Sequence, residues 1–99
     1  MKEFTYTVTD KDGMHARPAG RLATTAKQFV SDISVRANGK TADGKRLISL
    51  MMLGAVLGTT LTFCITGEDE DRAARALEEF CHTQWNPEGV VLNDETLEN

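Results

Sequence analysis

The feature that most constrains this chain is its apolar period, which switches repeatedly between two residues and three to four within a span of 99 residues. Phe4, Tyr6 and Val8 alternate with Glu3, Thr5, Thr7 and Thr9, which predicts a strand with one buried face and one wet face. After a turn at Lys11 to Gly13 the step lengthens. Ala19, Leu22, Ala23, Ala26 and Phe29 fall on one side of a helix starting at Ala16 and running to about Phe29. Ile33 and Val35 alternate again, and Asn38-Gly39 tolerates the positive φ angles of a type I′ hairpin turn, so a second and a third strand pair across it. Asp43-Gly44 keeps the third strand short. The run Leu47 to Leu53 predicts a brief helix ended at Gly54. Leu61, Phe63 and Ile65 alternate with Thr60, Thr62, Cys64 and Thr66, which predicts a fourth strand whose Cys64 faces away from the core. Glu68 to Asp71 puts negative charge at the positive end of a last helix, whose stripe is Ala73, Leu77, Phe80 and Cys81 and whose stop is Asn86-Pro87.

The order β-α-β-β-α-β-α defines an α+β chain in which each strand has one polar face and each long helix one apolar stripe. An open-faced sandwich satisfies those faces: a four-stranded antiparallel sheet covered by helices on one side and wetted on the other. Periodicity alone leaves the strand order open. A chain of this size holds one core, so we expect a single domain over residues 1–87 followed by an acidic, turn-rich, loosely ordered tail at 88–99.

Several functions are disfavoured. The apolar stretch from Leu47 to Leu57 is interrupted by Ser49 and Gly54 and falls well short of the ~20 residues that span a bilayer. No secretory apolar block follows MKEFTYTV, so the expected location is the cytoplasm, without membrane insertion. Cys64 and Cys81 are too few for a disulfide framework or a zinc site, and His82 beside Cys81 does not alter that. A net charge of −4 disfavours nucleic acid, whose binding is driven by clustered Lys and Arg.

The chemistry concentrates in Gly13-Met14-His15-Ala16-Arg17-Pro18-Ala19-Gly20, which sets a histidine where a turn meets a helix. The first helical amides lack intrahelical acceptors and favour an anion. Pro18 loses no helical hydrogen bond in the first turn, though it biases Arg17 away from helical geometry and predicts an irregular start. Ala16, Arg17 and Pro18 therefore form a candidate phosphate-binding turn. The Arg17 guanidinium can pair two phosphate oxygens beside a ring nitrogen able to attack phosphorus, with no metal or external cofactor. A neutral imidazole offers one ring lone pair for that attack. A lone His beside an Arg is more often an ordinary capping or surface residue, so spacing alone does not decide.

GMHARPAG, followed by Asn38-Gly39-Lys40-Thr41, LISLMMLG and GTTLTF, resembles the HPr family of phosphocarriers of the bacterial sugar phosphotransferase system, from about residue 2 to residue 85. The resemblance implies a carrier rather than an enzyme. In it His15 accepts a phosphoryl group at Nδ1 from phosphorylated Enzyme I, beside Arg17, and passes it to the A domain of an Enzyme II. It also implies three helices on one face of a sheet ordered 1-4-2-3. In one respect the chain departs from the family: Arg46 stands where many Gram-positive members carry a regulatory serine, and Ser49 is the nearest hydroxyl.

A carrier needs an apolar contact surface near its histidine, for which Leu47, Ile48 and Met51 share one side of the short helix while Leu50 and Leu53 share the other. Gly20, unfavourable inside a helix, would let a partner come close to His15. Alternation between partners through one face predicts a monomer. The competing readings are a regulatory binding protein of the same fold, a carrier for a nitrogen-related or dihydroxyacetone kinase branch, and a small α/β ligand-binding domain without covalent chemistry.

Overall fold

The computed structural model describes residues 1–85. Its elements are β1 (Lys2–Thr7), α1 (Ala16–Ala26), β2 (Asp32–Ala37), β3 (Lys40–Asp43), α2 (Leu47–Met51), β4 (Thr60–Thr66) and α3 (Glu70–Thr83). The strands form one antiparallel sheet in the order β1-β4-β2-β3. Both neighbours of β4 are thus distant in sequence. Phe63 faces Phe4 on one side and Val35 on the other, and the Phe4 and Phe63 rings stack with centroids 4.6 Å apart.

One face of the sheet carries the core. Leu61, Phe63 and Ile65 meet Leu22 from α1, Leu50 from α2 and Leu77 from α3, all fully buried. Each such side chain contributes about 1.5–3 kcal/mol by leaving water. The opposite face carries Thr5, Arg36 and Thr62 in register, side chains that hydrate well. Cys64 lies on that outer face and its thiol contacts the Glu3 carboxylate at 3.2 Å. Cys81 is buried, and desolvation pushes its thiol up to about 12, so it stays protonated and unreactive.

The hairpin is as expected, with Asn38 at φ 54° and Gly39 at φ 75°. The Asn38 side chain also donates to the Leu53 carbonyl at 3.0 Å, tying the hairpin to the end of α2. Three details differ from the sequence reading. α1 ends at Ala26, because Gln28 and Phe29 close a tighter turn on Thr25 and Ala26, yet Phe29 still buries its ring. Arg17 lies inside a regular first turn: the pre-proline bias is a preference, and the helix has no hydrogen bond to lose there. α3 ends at Thr83, before the expected stop at Asn86-Pro87. That stop, the domain bound at 87 and the tail at 88–99 lie outside the described residues.

The acidic run before α3 does more than favour a helix end. Asp69 makes no side-chain cap to the α3 backbone; its carboxylate instead accepts the Val30 and Ser31 amides, each at 3.1 Å, the hydroxyl of the buried Ser31 and, at 3.4 Å, the Arg72 guanidinium. It thereby fastens the start of β2 to the start of α3.

Candidate functional site

The loop before α1 is built around a turn from Asp10 to Gly13, with the Gly13 amide donating to the Asp10 carbonyl at 2.9 Å. The Asp12 amide donates to Asp10 Oδ1 at 2.8 Å, so one oxygen of that carboxylate is committed to the turn. Gly13 adopts φ 71°, and a Cβ there would lie 2.5 Å from the Ala55 carbonyl oxygen. The next amide, that of Met14, donates to the same oxygen at 3.0 Å. Only glycine fits, and the loop is clamped to the segment that follows α2.

His15 is consequently the N-cap of α1, extended at φ −93° and ψ −170°, and its side chain caps nothing. Its carbonyl accepts the Ala19 amide at 3.1 Å, which leaves the Ala16 and Arg17 amides at the open helix end and Pro18 with no N–H to satisfy. The ring is 46% exposed, and its Nε2 lies 3.9 Å from Asp10 Oδ2. Asp10, Asp12, His15, Arg17, Arg21 and Trp85 line one cleft. Arg17 is exposed and forms no ion pair among the described residues. A nucleophilic ring nitrogen, two unmatched amides and a free guanidinium thus share an open cleft, an arrangement that can take up a phosphoryl group.

Two features of this site are not evident from residue types alone. The turn read at Lys11 to Gly13 begins one residue earlier, at Asp10, a residue the sequence reading did not single out although Asp at the first position and Gly at the fourth mark such a turn, and residue types give no sign that its carboxylate neighbours the ring. Trp85 closes the cleft from just beyond α3, 67 residues from Pro18 in sequence. The ligand atoms of Asp10, Asp12 and His15 lie within 4.8 Å of one another, so these residues could offer ligands to a cation; all three are exposed, as acidic groups without a metal commonly are.

The surface beside the site is apolar. Leu47, Ile48 and Met51 are 37, 66 and 38% exposed, whereas Leu50 and Leu53 are buried. Met52, Val56 and Leu57, not singled out from the sequence, are exposed as well, while Ala55 between them is buried. Val56 adjoins Gly13, so the surface reaches the histidine loop. A Cβ on Gly20 would meet only Leu47 Cδ1, at 4.0 Å, so Gly20 keeps α1 flat beside this surface rather than relieving a clash. Among the described residues no helix is long and apolar enough to cross a membrane.

Residues 2–83 match the family described as the PTS HPr component phosphorylation site. The phosphocarrier protein HPr of Xylella fastidiosa is 36% identical over 86 residues, spanning 87% of this chain and 97% of its own. That of Lysinibacillus sphaericus is 43% identical over 77 residues, spanning 78% and 88%. Among solved structures, a histidine-containing phosphocarrier protein of Mycoplasma superposes with a TM-score of 0.80 at 35% identity, covering 85% of this chain and 97% of its own. HPr of Thermoanaerobacter tengcongensis gives 0.80 at 34% identity, covering 86% and 96%. Fold, sheet order and sequence agree on one assignment: the chain belongs to the HPr family, the phosphocarriers of the phosphotransferase system.

Proposed function

We propose that His15 is the phosphoryl-carrying residue, that it receives the group from phosphorylated Enzyme I, and that it passes it to an Enzyme II A domain. The observation that carries this reading is the position of His15 at the open end of α1, in one cleft with Arg17. In the accepting step a ring lone pair forms the new P–N bond while the bond from phosphorus to the donor breaks, its electron pair returning to the donor. The Ala16 and Arg17 amides and the Arg17 guanidinium hold the phosphoryl oxygens. The onward step is the same exchange with His15 as the leaving group. His15 returns to its starting state only through that second partner, so the chain is a carrier rather than an enzyme.

Both partners would dock on the exposed apolar surface formed by Leu47, Ile48 and Met51, with Gly20 beside it. One surface serving alternating partners is suited to a monomer in the cytoplasm. The test is incubation with Enzyme I and phosphoenolpyruvate, followed by mass spectrometry and phosphorus NMR. An acid-labile phosphohistidine should form, should vanish in His15→Ala and should persist in His82→Ala. Labelling that survives loss of His15 overturns the assignment.

A further inference from the structure

We propose that Asp10 is the positioning residue of this phosphotransfer: its free carboxylate oxygen holds the proton on Nε2 of His15, so that Nδ1 presents the attacking lone pair. This rests on the reading of His15 as the acceptor. A neutral imidazole carries one N–H and one lone pair, and the partner of one nitrogen decides the state of the other. Asp10 is placed to decide it. Its Oδ1 is fixed by the Asp12 amide at 2.8 Å, and its Oδ2 is the oxygen 3.9 Å from Nε2. Only a short path joins the two residues, from the Asp10 carbonyl to the Gly13 amide and from the Gly13 carbonyl to the His15 amide at 3.2 Å, so their spacing is set locally. The separation exceeds a hydrogen bond, which spans about 2.7–3.2 Å. A turn of the exposed ring closes it, as catalytic contacts tighten from a loose resting state when the partner arrives.

Charge balance supports the same pairing. When Nδ1 of a ring bearing Nε2–H takes up a phosphoryl group, the ring becomes a cation, and the carboxylate beside Nε2–H stabilises it. The proton stays where it was, so no acid or base need be supplied. The other charged groups in the cleft are Asp12, Arg17 and Arg21. The two arginines can face the phosphoryl oxygens, and the Asp12 carboxylate, though an oxygen of it lies within 4.8 Å of a His15 ring nitrogen, has no hydrogen bond among the described residues to fix its direction as the Asp12 amide fixes Asp10.

The decisive variant is Asp10→Asn. Its amide oxygen can still accept the Asp12 N–H and preserve the turn, which leaves the NH₂ to face the ring. A donor there requires a lone pair at Nε2 and moves the proton to Nδ1. Long-range proton–nitrogen NMR on the unphosphorylated protein, at a pH where the ring is neutral, should show mainly Nε2–H in the wild type and in Asp12→Asn. Asp10→Asn should show mainly Nδ1–H. Transfer from Enzyme I should slow roughly tenfold or more in Asp10→Asn, with the half-saturating concentration unchanged, since an orienting carboxylate acts through the tautomer. A wild-type ring that is mainly Nδ1–H, or a tautomer and rate unaltered in Asp10→Asn, overturns the proposal. The wild-type spectrum decides even if the variant folds poorly. Failure of His15 to become phosphorylated at all would instead overturn the preceding reading, which the tautomer measurement does not touch.

Discussion

The indole Nε1 of Trp85 donates to the carbonyl oxygen of Pro18 at 3.0 Å, joining the residue just beyond α3 to the first turn of α1. The ring is buried against Tyr6, Phe63 and Phe80, so the core itself braces the end of the helix that begins after His15. Trp85→Phe should keep most of that packing and lose the hydrogen bond, lowering stability by about 1 kcal/mol. Trp85→Ala should cost about 3–5 kcal/mol. Urea unfolding measures both, and equal losses for the two variants would show that the hydrogen bond, not the packing, carries the brace.

Arg17 is exposed and free of ion pairs among the described residues, so folding gains little from its charge. Arg17→Ala should change stability by less than about 0.5 kcal/mol. Phosphotransfer should slow roughly 10- to 100-fold, because a charge-assisted contact is worth about 1.5–3 kcal/mol. Stopped-flow transfer and thermal unfolding on the same samples separate the two effects.

Ile48 and Leu50 lie two residues apart on α2 with opposite surroundings, 66% and 0% exposed. Ile48→Glu should weaken Enzyme I binding with little change in unfolding midpoint. Leu50→Ala should lower stability by about 2–5 kcal/mol. Calorimetric binding beside thermal unfolding tests the pair, and collapse of Ile48→Glu would remove Ile48 from the docking surface.

Asp69 gives the fold an acid-sensitive joint. The Ser31 hydroxyl, then the Val30 and Ser31 amides and Arg72, hold its carboxyl down to about 2 from an ordinary 3.8, against some desolvation. The folded state therefore favours the charged form. The stabilisation is present above the ordinary value of 3.8 and is lost as pH falls through about 2, below which folded and unfolded chains are both protonated. Asp69→Asn should flatten the stability profile across that window, as read by urea unfolding from pH 2 to 5.

Arg46 occupies the N-cap position of α2, where the family resemblance implies a phosphorylatable serine in many Gram-positive members, and it pairs loosely with Asp43 at 3.7 Å. An arginine cannot accept that phosphate. Incubation with an HPr serine kinase and ATP should leave the protein unlabelled, while Arg46→Ser becomes a substrate. Stoichiometric labelling at Ser49 with loss of Enzyme I transfer would sink this expectation.

The strands, the helices and the side each turns to the core were legible in the sequence, because burial periods of two and of three to four are properties of the local backbone. Phe63 and Leu77 could be assigned to the core without knowing what they touch. His15 and Arg17 were legible for a similar reason: a helix start and its unmatched amides follow from a few adjacent residues, and GMHARPAG carries a family resemblance besides. The place of β4 between β1 and β2 depends on pairs such as Phe4 with Phe63 and Val35 with Phe63, and periodicity is blind to partners so distant; the order came from resemblance and then from the fold. Tertiary structure alone decided that Trp85 reaches Pro18 and that Asp69 turns to Ser31. Contacts of that kind exist only when whole elements dock, for the direction of one donor or carboxylate is set by the sum of packing around it. Asp10 lies between these cases: its turn is written in neighbouring residues, but the aim of its second oxygen at His15 is set by backbone angles that only the folded loop fixes.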